Sequence, residues 1–140
     1  MEQRKMSEQK DYSLLSGLTL AYIGDAIYEV YIRDFLIRSG QTRPNQLHRL
    51  ATHYVSAKAQ HFLIEEMLKE NILTEEEQAI YKRGRNAKSH TSAKNTSVFI
   101  YRASTGFECL IGYLHLTDQK ERLDRLVAWC IERIGEKNEK

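Results

Sequence analysis

Two carboxylates stand apart in this sequence because of what surrounds them. Asp25 lies inside the apolar stretch 18–36, and Glu108 is the single acid of the apolar stretch 98–116. A third feature is a run of positive charge. Residues 78–107 contain no acid, but they include Lys82, Arg83, Arg85, Lys88, Lys94 and Arg102. Hard divalent ions such as Mg²⁺ are held by one or two carboxylates together with waters and substrate phosphates, so two acids brought together make a minimal site. Basic side chains beside them would hold a phosphate backbone. The chemistry these groups suit is metal-assisted phosphodiester hydrolysis.

Each observation also has a plainer reading. At about 100° per residue, Asp25 shares its side of a helix with Leu18, Ala21, Tyr22, Tyr28, Glu29 and Ile32, a mostly apolar company. An acid buried there costs several kcal/mol or so unless it is paired, and a tyrosine or an arginine could satisfy it as well as a metal could. Gly24 weighs on the side of function. A glycine inside a helix costs about 1 kcal/mol relative to alanine, and its missing side chain lets another backbone or a ligand approach the turn that carries Asp25. The basic run, taken alone, is equally a solvated connection. For the two acids together, desolvation and mutual repulsion predict a raised pKa on at least one of them in the absence of metal.

Helices must position these groups. Leu20, Ile23, Ile27 and Val30 recur at steps of three and four, and the next break is Gly40, which predicts a buried helix over 18–38. Pro44 suits a first helical turn, and Leu47, Leu50, Ala51, Tyr54 and Val55 carry a second helix to about residue 59 or beyond, continuing, with a bend, to Asn71. Thr74-Glu75-Glu76-Glu77 is a capping-box sequence that opens a short helix reaching Tyr81. Residues 82–95 have almost no large apolar side chain and are expected to form a loop, with room for a short helical turn. The stretch 98–116 is again a long apolar helix. Thr117 or Asp118 then caps a last helix whose buried face is Leu123, Leu126, Val127, Cys130, Ile131 and Ile134, with Gly135 as its stop.

A chain of 140 residues with one proline, seven glycines and no alternating β-branched runs is expected to be a single all-α domain over 1–140. Its ends, 1–11 and 136–140, are expected to be flexible. The net charge of +2 excludes an argument from bulk charge, so contact with a polyanion depends on the local basic run. Cys109 and Cys130, isolated in apolar helical patterns, fit reduced buried thiols in a cytoplasmic protein. No apolar run approaches the roughly 18 residues of a membrane span, and the polar N-terminus has no signal-peptide core. The histidines His48, His53, His61, His90 and His115 have no zinc-ligand spacing, and neither standard phosphate-cradling glycine loop is present.

The stretch Leu20-Ala21-Tyr22-Ile23-Gly24-Asp25-Ala26-Ile27-Tyr28-Glu29 resembles the signature of the ribonuclease III family, a hydrophobic-Gly-Asp-Ala step within a helix. Arg83-Gly84-Arg85-Asn86-Ala87-Lys88 and Thr105-Gly106-Phe107-Glu108-Cys109-Leu110-Ile111-Gly112-Tyr113-Leu114 resemble the short bacterial branch, mini-ribonuclease III. The resemblance covers nearly the whole chain. It implies an all-helical endonuclease domain that works as a homodimer and cuts double-stranded RNA with Mg²⁺, with Asp25 and Glu108 as the catalytic metal ligands. By carry-over, Arg83, Arg85, Asn86, Lys88 and Lys94 would be RNA contacts. The implied substrate is a large-subunit (23S-type) ribosomal RNA precursor, with a ribosomal protein as a compatible presenting partner.

Long-form ribonuclease III has two further acids, one helical turn before each of these, where this chain has Ala21 and Thr105. The chain is also expected to lack the double-stranded-RNA-binding domain of the long forms. RNA would then be held by the catalytic domain itself, through A-form shape and phosphates. The rival expectation is a non-catalytic helical module that binds duplex RNA without cutting it.

Overall fold

The structure is a computed structural model that describes residues 11–88 and 97–139. Among these, a 3-10 turn at Tyr12–Leu14 precedes six α-helices and there is no strand. The helices are α1 (Gly17–Arg38), α2 (Pro44–Val55), α3 (Ala57–Lys69), α4 (Glu75–Arg85), α5 (Val98–Leu116) and α6 (Lys120–Glu139). The all-α expectation holds.

Local chemistry sets most of the helix ends. Ser16, Ser56, Thr74 and Ser97 each accept a backbone N–H of the first turn that follows, satisfying donors the helix cannot. Thr74 and Glu77 complete the expected capping box, and Pro44 opens α2 as expected. At the other ends, Gly40, Asn71 and Asp118 take positive φ. The following N–H of Gln41, Ile72 and Gln119 reaches back to the carbonyls of Leu36, Met67 and Leu114, which is the Schellman arrangement.

Four boundaries differ from the sequence expectation. The second helix is broken in two at Ser56, whose extended backbone ends α2 and whose hydroxyl opens α3; the apolar periodicity runs through the break and hides it. Residues 82–85 are helical and not a loop, because Gly84 and Tyr81 are buried against α5 and carry α4 onward to Arg85. Asp118 ends α5 in the left-handed conformation in place of capping α6. Finally, α6 passes through Gly135 to Glu139, where nothing lies close enough to force a stop.

α5 is the central helix, with α1, α3, α4 and α6 packed around it. It is buried nearly all round from Ala103 to Leu114, in keeping with its sequence. The closest approach is its crossing with α1. A Cβ on Gly24 would stand 1.7 Å from the Glu108 carbonyl oxygen, and one on Gly112 would stand 1.9 Å from the Leu20 carbonyl oxygen. Each helix therefore offers a glycine to the other's backbone. Tyr28 meets Phe107 edge-on beside this crossing, with ring centroids 4.9 Å apart.

Candidate active site

The crossing decides where the two acids go. With Gly24 pressed on the backbone of residue 108, Asp25 and Glu108 leave the two helices side by side, close enough for each carboxyl group to act on the other. Their environments differ. Glu108 is half-buried, whereas Asp25 is exposed, which corrects the expectation of a buried aspartate. The physical reason is the direction of packing. The covered line of α1 runs through Leu20, Ala21, Gly24, Tyr28, Ile32 and Leu36, and Asp25 lies at its edge.

Burial pushes the Glu108 carboxyl up to about 8, helped by its hydrogen bond to Asp25, by the Asp25 charge and by the more distant charge of Glu29. A hydrogen bond from Gln60 opposes the rise. The expected rise on one member of the pair is therefore found. Glu29, one turn beyond Asp25, is held by Arg33 at 3.0 Å. Gln60, from α3, donates Nε2 to Glu108 Oε2 at 3.4 Å and to the Val55 carbonyl at 3.3 Å. Sequence reasoning singled out neither Glu29 nor Gln60 as a site residue. Glu29 had a signal in its i,i+4 spacing from Asp25. Gln60 had none, because only the packing of α3 on α5 brings it to Glu108.

The pair fits a divalent cation. A half-buried Glu108 whose charge is disfavoured beside Asp25 is a place where a small dication can take over the role of the proton, and one open flank leaves room for water and phosphate. Among the described residues no three His, Cys, Asp or Glu side chains converge, so protein carboxylates would supply part of the coordination and solvent and substrate the rest. At the two positions where long forms have acids, Ala21 is buried and the Thr105 hydroxyl donates to the Tyr101 carbonyl at 3.1 Å.

The basic residues are divided among different tasks. The Arg83 guanidinium is tied to the chain's own backbone, donating to the carbonyls of Ser13 and of Leu15. Arg85 stacks over the Tyr81 ring at 5.6 Å and donates to the Asn86 side chain at 3.3 Å. Lys82, Asn86 and Lys88 are exposed, and Lys94 lies outside the described residues. Gly84 lets α4 pack on the Thr105, Gly106 and Cys109 turn of α5, the turn that carries Glu108. A second acid-free span, 35–64, was not singled out in the sequence; it presents Arg43 at the start of α2, Arg49 within α2 and Lys58 in the first turn of α3 on the surface.

Comparison with known proteins agrees with the geometry. The Ribonuclease III domain matches residues 18–119. The chain is 66% identical to Mini-ribonuclease 3 of Enterococcus faecalis over 131 residues, covering 94% of this chain and 99% of that protein. It is 58% identical to Mini-ribonuclease 3 of Streptococcus pneumoniae over 124 residues, covering 89% and 97%. A crystal structure of a Fusobacterium nucleatum protein superposes with a TM-score of 0.74 at 32% identity, covering 88% of this chain and 94% of that one. The helical frame, the acid pair at its central crossing and these relatives lead to one assignment: the chain belongs to the ribonuclease III family, in the mini-ribonuclease III branch, and is an endoribonuclease of that type.

Proposed function

We propose that this enzyme cuts double-stranded RNA with Mg²⁺, and that Asp25 and Glu108 are the ligands that hold the ion. The observation that supports this most directly is the juxtaposition of the two carboxyl groups at the α1–α5 crossing, where Gly24 packs on the Glu108 backbone and Glu108 is raised to about 8. When bound, the cation would supply Lewis-acid stabilisation of the phosphate oxygens and a water activated for attack. The chain's own part is positional. Glu108 would release its proton where a cation binds, and exposed Asp25 faces the side from which a phosphate backbone can arrive. The exposed cations near the site, Lys82 and Lys88, then hold the duplex through its phosphates, together with Arg85, Asn86 and Lys94 and, across α2 and α3, Arg43, Arg49 and Lys58. Arg83 belongs to this group by family carry-over, although its guanidinium is engaged with the N-terminal carbonyls.

The active form in this reading is a homodimer. α1 exposes a row of apolar side chains, Leu18, Tyr22 (84% exposed) and Val30 (64% exposed), with Leu14 beside its start. Such a surface costs free energy in water and suits a second copy of the same helix. Two copies then supply two centres, one for each strand of the duplex. The substrate we infer is a large-subunit (23S-type) ribosomal RNA precursor in the cytoplasm, with a ribosomal protein as a compatible presenting partner.

Cleavage of a labelled RNA duplex by wild type, Asp25→Asn and Glu108→Gln, with Mg²⁺ and with chelator, tests the core of this. Each substitution is expected to lower single-turnover cleavage by at least about a hundredfold while leaving duplex binding in place. Wild-type cutting in chelator, or undiminished cutting by Glu108→Gln, would remove the metal pair. Binding without cutting, on a natural ribosomal precursor as well, would turn the reading to a non-catalytic module.

A further inference from the structure

We propose that Gln60 is a positioning residue that fixes the Glu108 carboxylate for uptake of the divalent cation. The proposal rests on the reading of Asp25 and Glu108 as the cation-binding pair. Gln60 is 2% exposed, a buried position of α3 like Ala59, Leu63, Ile64 and Met67. Both donors of its amide are used at one atom, Nε2, which reaches Glu108 Oε2 at 3.4 Å and the Val55 carbonyl at 3.3 Å. Its acceptor, Oε1, is buried with no hydrogen-bond partner among the described residues.

That combination is unfavourable for folding. A buried amide that makes two long hydrogen bonds and leaves its oxygen unpaired gives up more hydration than it recovers, whereas methionine or leucine would fill the same space without that loss. An element of fold that is costly and replaceable suggests a task outside stability. The contacts identify the task. Val55 is the last residue of α2, and its carbonyl, at a helix end, is a fixed acceptor. Anchored on that carbonyl, the amide N–H stops the Glu108 carboxyl plane from rotating. Without this anchor Glu108 would keep its place in α5 but lose the orientation that lets it and Asp25 address one ion, in the way outer hydrogen bonds orient metal ligands elsewhere.

The experiment measures Mn²⁺ binding to the RNA-free protein by electron paramagnetic resonance of the free ion, and the Mg²⁺ concentration for half-maximal single-turnover duplex cleavage. Wild type, Gln60→Met and Gln60→Leu are compared, with Asp25→Asn and Glu108→Gln as references. Gln60→Met keeps the volume and removes the donor. It is expected to weaken Mn²⁺ binding by about 10- to 100-fold and to raise the Mg²⁺ requirement in step, with cleavage recovering at high Mg²⁺ and a metal-free Tm at or above that of wild type. Unchanged Mn²⁺ binding and Mg²⁺ requirement in Gln60→Met would overturn the proposal. So would loss of folding in both the methionine and the leucine variants, which would make Gln60 a structural residue. If Asp25→Asn and Glu108→Gln also bind Mn²⁺ as wild type does, the metal pair itself fails; if they lose it and Gln60→Met does not, only the role of Gln60 fails.

Discussion

Glu108, half-buried, and Glu77, buried, are two acids whose surroundings act in opposite directions. Glu108 is raised by burial and by Asp25 to about 8, so between an unfolded value near 4.5 and that point the folded metal-free protein binds the extra proton. Its contribution to stability is fully present below about 4.5 and is lost as the pH rises toward 8. The metal-free Glu108→Gln variant should therefore show a flatter fall in Tm over that window than wild type; parallel Tm curves from pH 4.5 to 8 would contradict the raised value. At Glu77 burial also pushes upward, but the Arg122 guanidinium and the Thr74 backbone N–H outweigh it and hold the carboxyl below its usual range. Its contribution is therefore present above the unfolded value and disappears as pH falls. The pair is close, with Arg122 Nη2 2.7 Å from Glu77 Oε1, and the Glu77 side chain is only 5% exposed. Arg122→Met would leave that charge buried alone and is expected to cost roughly 3–5 kcal/mol in a urea titration at neutral pH. A cost below about 1 kcal/mol would mean that Glu77 finds water when the arginine is gone.

Among the elements, the α1–α5 crossing both holds the core and sets the site. Gly24 against the Glu108 carbonyl and Gly112 against the Leu20 carbonyl bring the backbones together without intervening side chains, and this closeness lets an aspartate on one helix touch a glutamate on the other. A methyl group at Gly24 would overlap a backbone oxygen, which cannot rotate away as a side chain can. Helix propensity favours alanine there by about 1 kcal/mol, but the overlap is the larger effect. Gly24→Ala should lose at least about 3 kcal/mol by denaturant unfolding and separate the acids, so that cleavage falls further than stability alone would cause. An alanine variant with wild-type stability would show that the helices can slide apart freely. The apolar helices 18–38 and 98–116 were legible in the sequence because periodicity and caps are local. The split at Ser56 was not, since apolar residues on both sides share one stripe and a serine is an ordinary residue until its backbone turns extended.

At the scale of the molecule, near-neutral total charge hides an uneven surface. The acid-free spans 35–64 and 78–107 supply the exposed cations of α2, α3 and the α4 end, while many other bases are already paired: Arg33 with Glu29, Arg38 with Asp34, Arg122 with Glu77 and Arg133 with Glu66. The apolar row on α1 is the other large-scale feature. If two copies meet there, Val30→Lys should give a monomer by sedimentation while circular dichroism and Tm stay close to wild type, because Val30 is exposed in the single chain. A Val30→Lys protein that sediments like wild type would move the interface elsewhere, and a wild type that sediments as a monomer would remove it.

What the sequence by itself determined was local. It contained the long apolar helices, the capping box at Thr74, the proline start at Pro44, the glycine end at Gly40, the two isolated acids and the basic run, each a matter of neighbours within a turn or two. Gly24 even signalled that something would approach the turn of Asp25. The tertiary structure alone decided that the approaching group is the Glu108 backbone, that Asp25 stands at the rim instead of in the core, that Arg83 is spent on the N-terminal carbonyls, and that Gln60 holds Glu108. The reason is physical. Periodicity fixes which residues share a face, but which face is covered, and by which atoms, depends on helices brought together from distant parts of the chain.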